Sequence, residues 1–255
     1  MQEPQTQQEK PCDTGSGSPS NRGPGLDASQ EPHREDELNR SLESPEDRFG
    51  VRLRKNYSAE GLQERLMEAE AASLANSFDH LRRSGAVPRS AAIILGARRK
   101  YIAGEGKSSA YAALLNADLA STLSNVFLID GHSLNPLDVL SDVRSSDVLI
   151  LFSLRRYRRE TVVLGRLFQQ AGGRLVVITD SGDSPLARTA ASLIVLNTGS
   201  ASYADSSTSI AAACHLLSTL TAASAKGARR RLGTRGEIGK SMGLYFDQTE
   251  EKDFS

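Results

Sequence analysis

Two glycines, two charged residues and two serines stand together in one short segment: Gly104, Glu105, Gly106, Lys107, Ser108 and Ser109. Glycine lets the backbone approach a ligand closely, because it has no side chain. Free N–H groups at the start of a following helix attract anions, and the lysine and serines add a charge and hydroxyls. The spacing matches neither a Walker loop nor a complete dinucleotide fingerprint. The segment alone therefore indicates either a ligand-binding loop or a tight turn that binds nothing.

A second segment concentrates arginines directly after the apolar run VLILF: Ser153, Arg155, Arg156, Arg158, Arg159, Glu160 and Thr161. The planar guanidinium is the side chain best matched to phosphate, because it can donate two parallel hydrogen bonds. A solvated charge cluster, in which the glutamate balances one arginine, is the alternative. The place of the cluster after a buried strand favours an anion site.

Two further segments follow apolar runs. Residues 179–187 read TDSGDSPLA, in which Ser184 and Pro185 have the residue types of a helix cap and a first helical position. Asp205 and Ser206 open a long helical stretch. Their backbone N–H groups could help to hold a ligand, or the two side chains could simply cap the helix.

Short apolar runs alternate with helical patterns, and this order predicts a parallel sheet covered by helices on both faces. Ligands of such sheets bind outside the carboxyl ends of the strands, where the four segments lie. Helices are predicted between the strands, including a short one at residues 184–190 and a long one at 206–225. The predicted strands are residues 100–103, 125–129, 148–152, 175–179 and 193–196.

The parts of the chain outside this alternation have a different composition. Residues 1–48 contain eleven acidic and five basic residues, and few aliphatic residues precede Phe49, so residues 1–57 are predicted to be a disordered acidic tail. From Ser58 an amphipathic helix over residues 58–87 is predicted to pack on the α/β domain or on a partner copy. Residues 88–230 form the domain, and 231–255 a C-terminal tail. The helical stripe consists of Met67, Ala71, Leu74, Phe78 and Leu81.

The totals exclude several classes of protein. Lysine plus arginine and aspartate plus glutamate both number 31, so net charge predicts no partner. Two cysteines are too few for a disulfide framework, and the scattered cysteines and histidines have no metal-site spacing. No secretory signal and no apolar run long enough to span a membrane is present. We therefore expect a cytoplasmic protein with no metal, no cofactor and no membrane contact.

In order and spacing, the four segments resemble the SIS (sugar isomerase) domain over residues 86–225. The first loop of that family reads G-x-G-x-S, matched by Gly104, Gly106 and Ser108, and its phosphate loop keeps its frame at Ser153 and Thr161. The resemblance implies a flavodoxin-like, doubly wound five-stranded parallel sheet and a bound sugar phosphate. The predicted ligand-binding residues are Gly104, Glu105, Gly106, Lys107, Ser108, Ser109, Ser153, Arg155, Arg156, Arg158, Thr161, Asp205 and Ser206.

The run SLRRYRRET is similar to the corresponding run of RpiR/MurR-type bacterial transcriptional regulators. In these regulators the SIS domain senses a sugar phosphate and controls an N-terminal helix-turn-helix domain. Residues 1–57 show no helical periodicity and an acidic balance, so that reading head is not expected here and direct DNA binding by this chain is doubtful. The resemblance implies a phosphosugar-sensing module that forms a homodimer or a higher homo-oligomer.

An aldose–ketose sugar-phosphate isomerase of the same fold is the alternative. That reaction needs a positioned general base, for which His132 and Asp205 are the candidates. Isomerases of this fold usually place a glutamate near the last long helix, which has none here, so no catalytic residue is assigned and the non-catalytic module ranks first. Nucleic-acid binding by the basic cluster at residues 226–235 ranks third, because a solvated helix end explains it equally well.

Overall fold

The computed structural model describes residues 44–53 and 58–245. Helices and strands alternate through most of this span, as the sequence predicts. In chain order they are α1 (Pro45–Arg52), α2 (Ala59–Ser84), α3 (Ala86–Gly96), β1 (Lys100–Gly104), α4 (Lys107–Thr122), β2 (Val126–Ile129), α5 (Pro136–Leu140), β3 (Val148–Phe152), α6 (Arg159–Gln170), β4 (Arg174–Thr179), β5 (Ser192–Val195), α7 (Thr208–Ser224) and α8 (Ala228–Ser241).

The five strands form one parallel sheet in the order β2-β1-β3-β4-β5. Ile102 of β1 lies opposite Leu128 on one side and Ile150 on the other. The chain starts at β1, moves outward to β2 and then returns to β3, so the direction of winding reverses between β1 and β3. The predicted doubly wound five-stranded sheet is confirmed, and a ligand crevice is expected at this reversal.

Both faces of the sheet are covered, because alternate residues of each strand point to opposite sides. On one face Ile150 packs in a cluster with buried residues of α3, α4 and α7. On the other face Leu149 and Leu151 pack with Leu164 and Phe168 of α6. All five residues of β3 are buried, which explains why its sequence is apolar throughout rather than alternating.

Helix α2 packs on the domain through a more polar face than the apolar stripe predicts. Ser73 Oγ donates to the carbonyl of Asn197 at 2.8 Å, and the Asn197 amide donates to Ser77 Oγ at 2.8 Å. Leu81 is buried, whereas Met67, at the other end of the stripe, is 57% exposed. The described part of the chain, α2 with its 26 residues included, has no helix apolar and long enough to cross a membrane.

Two predicted tails contain helices. Residues 1–57 were predicted to lack order, but α1 forms within them, where Ser44 Oγ accepts the amide of Asp47 in a capping box. Overall composition does not register this short-range capping. Residues 1–43 and 54–57 lie outside the described residues. Helix α8 runs across the predicted boundary at residue 230, so the basic cluster is partly helical.

The helix predicted at residues 184–190 is instead a series of turns. The amide of Ala187 donates to the Ser184 carbonyl at 2.9 Å, and that of Ala190 to the Leu186 carbonyl at 3.1 Å. Leu186 is fully buried beneath α6. Tertiary packing of this one side chain holds the segment in turns, although the serine and proline have the types of a helix start.

Candidate functional site

The loop after β1 has two glycines that no other residue could replace without displacement. A Cβ on Gly104 would lie 2.7 Å from the backbone oxygen of Ser108. Gly106 caps α4 with φ of 62°, and a Cβ there would lie 3.0 Å from Arg158 Nε. The first loop therefore closes tightly on the start of α4, and a guanidinium from the loop after β3 lies directly against it.

The loop after β3 begins at a buried serine. The Ser153 amide donates to the Ile178 carbonyl at 2.9 Å, while Ser153 Oγ is buried and has no hydrogen-bond partner among the described residues. Thr161 is also buried, in the first turn of α6. Arg158, the N-cap of α6, gives the helix no side-chain cap. This loop thus has a buried hydroxyl and an uncapped helix start near exposed cations, as an anion site requires.

Asp180, at the end of β4, fixes the shape of the arginine loop. Its Oδ1 accepts the Arg155 amide at 3.2 Å and the Tyr157 hydroxyl at 3.2 Å. Burial and the nearby Asp180 charge raise the pKa of Tyr157 to about 12, so the phenol remains a donor at neutral pH. Neither residue is assigned a role from the sequence, although Asp180 stands in the TDS segment singled out above.

The loop before α7 reaches across to the first loop. Lys107 Nζ donates to the backbone carbonyl of Asp205 at 2.8 Å. The Asp205 carboxylate pairs with Arg48 of α1, a residue that is only 7% exposed. No sequence signal pointed to Arg48, because it stands in a segment whose composition predicted disorder.

Several predicted ligand-binding hydroxyls are occupied by the protein itself. Ser206 Oγ donates to Glu70 of α2 and accepts the Thr208 amide at 3.1 Å. Ser109 Oγ donates to the Gly106 carbonyl at 2.7 Å. Ser108 is buried against Gly104. Glu105, Gly106, Lys107, Arg155, Arg156 and Arg158 are at least partly exposed at this edge of the sheet.

The two candidate isomerase residues have other roles in the structure. His132 is exposed in the turn after the edge strand β2, where the amides of Leu134, His132 and Ser133 donate to Asp130 and hold its pKa at about 2. The Asp205 carboxylate is paired with Arg48. Across residues 44–53 and 58–245, no three His, Cys, Asp or Glu side chains lie together as potential metal ligands.

Residues 93–223 match the family model of the SIS domain. The fold is similar to that of the sugar isomerase domain of an RpiR transcription factor from Sphaerobacter thermophilus, at a TM-score of 0.64 and 23% identity. That match covers 70% of this chain and 98% of the other. No match was found among curated proteins.

Two structures with bound ligands have the same fold. The NanR protein of Vibrio vulnificus, complexed with ManNAc-6P, is 16% identical with a TM-score of 0.60, over 71% of this chain and 69% of that one. Protein c3406 of E. coli CFT073, in complex with arabinose 5-phosphate, is 21% identical with a TM-score of 0.51, over 63% of this chain and 88% of that one. At these identities the likeness establishes the fold alone.

Proposed function

The chain belongs to the SIS-domain family, and from this premise we propose that it is a non-catalytic module that binds a sugar phosphate. The observation that carries the proposal is the contact between Gly106 and Arg158. These two residues belong to the loops on either side of the point where the winding of the sheet reverses, the place where doubly wound folds bind ligands. A glycine turn and a guanidinium therefore lie at the position where a phosphate is expected.

The binding roles follow from the chemistry of each loop. Exposed arginines of the second loop donate paired hydrogen bonds to phosphate oxygens, and the starts of α4 and α6 add backbone N–H groups. Lys107 adds a second kind of cation to the first loop. The buried Ser153 hydroxyl, which has no described protein partner, accepts or donates one further bond to the sugar or its phosphate.

We favour sensing over isomerisation because the structure offers the reaction no assembled acid and base. The Asp205 carboxylate is neutralised by a buried guanidinium, and the His132 side chain is exposed in a turn organised by Asp130. An isomerase needs a general base within hydrogen-bond reach of the substrate proton. A binding module needs only the cations and N–H groups described above.

We place this module with the effector domains of RpiR-type regulators, in the cytoplasm and as a homodimer or higher homo-oligomer. The similar NanR structure contains ManNAc-6P and the similar c3406 structure contains arabinose 5-phosphate, both sugar phosphates. Residues 44–53 and 58–245 contain no helix-turn-helix ahead of the domain, so we propose that the signal passes through association with another protein rather than through direct DNA contact.

Thermal unfolding against a panel of sugar phosphates tests the proposal. The panel includes ManNAc-6P, arabinose 5-phosphate, glucose 6-phosphate and fructose 6-phosphate, with the unphosphorylated sugars as controls. A ligand at a hundredfold its Kd stabilises by about 2.7 kcal/mol, which raises Tm by about 5–10 °C in a domain of this size. We expect a selective shift that is lost when Arg155 and Arg156 are both replaced by alanine.

Incubation with the stabilising ligand then separates the two functions. Recovery of the ligand unchanged supports a sensor, whereas appearance of its aldose or ketose isomer supports an enzyme. The absence of a shift with every phosphorylated sugar would contradict phosphosugar binding altogether. Light scattering at micromolar concentration tests the oligomeric state, and a monomeric mass would contradict it.

A further inference from the structure

Helix α1 is fixed to the loop that leads into α7. Three of its side chains reach that loop, and they do so from successive turns of one short helix. One contact is ionic, one is a hydrogen bond to the backbone and one is between rings. The pairs are Arg48 with the Asp205 carboxylate, Arg52 with the Ser202 carbonyl, and Phe49 with Tyr203, whose ring centroids are 6.2 Å apart.

Arg48 is unusual among these contacts, because it is nine-tenths buried and incompletely bonded. Its side chain is only 8% exposed, and it pairs with Asp205 through Nη1. Its Nε is buried and has no hydrogen-bond partner among the described residues. Buried N–H groups are almost always paired, and a charged donor without an acceptor is especially unfavourable. The Nε–H group is thus available to an acceptor that the protein does not supply.

The position of Asp205 connects this donor to the candidate site. Asp205 accepts Lys107 Nζ on its backbone carbonyl and Arg48 on its carboxylate. Lys107 directly follows Gly106, against which the Arg158 guanidinium lies. A single carboxylate thus stands between two cations and balances only one of them. The remaining positive charge favours an anion at this edge of the sheet.

We propose that Arg48 is a binding residue of the sugar-phosphate site, donating its Nε–H to an anionic oxygen of the ligand while Nη1 keeps Asp205. This inference rests on the proposed function and adds α1 to the site. Arg48 reaches the ligand only when α1 is docked on residues 202–205. Ligand binding and docking of α1 therefore stabilise each other by the same factor, as linkage requires.

Calorimetric titration of the full chain with ManNAc-6P, arabinose 5-phosphate and inorganic phosphate tests this assignment. Removal of a charge-assisted hydrogen bond in Arg48→Ala should weaken binding about 10- to 100-fold. Arg48→Lys keeps a charge for Asp205 but has no Nε–H group, so an intermediate loss is expected. Phe49→Ala removes only the ring contact with Tyr203 and should weaken binding less than Arg48→Ala. Arg82→Ala, on an exposed site of α2, is the charge-matched control and should bind as the wild type does.

Hydrogen exchange of the α1 amides provides a second readout that a purely structural role would not change. With bound ligand, exchange in residues 45–52 should slow several-fold in the wild type and remain unchanged in Arg48→Ala. Equal affinity of wild type and Arg48→Ala, with exchange of α1 independent of ligand, would overturn this inference and leave the proposed function intact. No binding of any probe by the wild type would overturn the proposed function and this inference with it.

Discussion

Gly106 and Arg158 adjoin so closely that a β-carbon on the glycine would lie 3.0 Å from the arginine Nε. The two residues come from loops that follow neighbouring strands β1 and β3. Gly106 also has φ of 62°, a conformation that glycine adopts without strain. The contact therefore depends on both the backbone freedom and the small size of this residue.

Gly106→Ala should impair both folding and binding. The positive φ costs about 1–2 kcal/mol for a residue with a β-carbon, and the displaced guanidinium of Arg158 should weaken binding of ManNAc-6P or another panel ligand at least about tenfold. Gly131→Ala is the matched control, since Gly131 has φ of 75° but open space around it. Urea unfolding should show similar losses for both variants, and calorimetry a loss of affinity for Gly106→Ala alone. Equal affinities would contradict the role of the contact.

Asp180→Asn should loosen the arginine loop with little loss of stability. Asp180 accepts the Arg155 amide and the Tyr157 hydroxyl, and an asparagine retains an acceptor but not the charge. We expect a several-fold loss of sugar-phosphate affinity, measured by calorimetry, and a Tm change of about 1–3 °C. Tyr157→Phe removes one of the two bonds and should give a smaller loss. A larger effect of the tyrosine variant would show that Asp180 does not organise the loop.

Ser206→Ala should be a stability variant rather than a binding variant, contrary to the sequence-based assignment of this serine to the ligand. Its hydroxyl donates to Glu70 and accepts the Thr208 amide, and loss of both bonds should cost about 1–3 kcal/mol in urea unfolding. Affinity for the best panel ligand should change less than about threefold. A double-mutant cycle with Glu70→Gln should show coupling, and a tenfold loss of affinity with unchanged stability would restore the ligand role.

Asp147 should give the protein a specific sensitivity to acid. Its carboxylate is fully buried, which raises its pKa, but hydrogen bonds from Arg99 and the Arg144 amide outweigh burial and hold the pKa below its usual value. A depressed pKa contributes stability that is present above the unfolded value of about 3.9 and is lost as pH falls through the lower folded value.

Asp147→Asn should therefore cost about 3 kcal/mol at neutral pH and flatten the fall of stability between about pH 5 and pH 2. Guanidinium unfolding at several pH values measures both effects. Asp142→Asn is the control, because Asp142 also pairs with Arg99 but is more than half exposed, and it should lose less than about 1 kcal/mol. A wild-type acid slope no steeper than that of Asp147→Asn would contradict the assignment.

The strands were predictable because each is a short apolar run bounded by polar residues. Residues 148–152 were predicted as a strand with the observed bounds, since burial on both faces leaves an uninterrupted run. The stripe of α2 was only half informative. Met67 is exposed although it belongs to the stripe, and Ser73 and Ser77 are buried because Asn197 satisfies their hydroxyls, a distant pairing that periodicity does not encode.

The site was predictable as a set of loops and less so as a set of side chains. Parallel strands bring the loops after β1 and β3 to one edge, so the neighbourhood of Gly106 and Arg158 follows from topology. Which hydroxyls are free does not follow, because Ser206 is occupied by Glu70 from a helix far earlier in the chain. Arg48 was missed for the same reason, since its burial depends on Asp205.

The central place of β3 also has a consequence for synthesis on the ribosome. β1 pairs with β2 on one side and with β3 on the other, yet β3 is made after β2. At about 5–20 residues per second, translation of residues 130–147 takes about 1–4 s. Throughout that interval the nascent chain presents one edge of β1 with unpaired backbone groups, which can recruit a strand from a neighbouring chain. Shielding of that edge by chaperones or by slow initiation thus bears on the yield of folded protein.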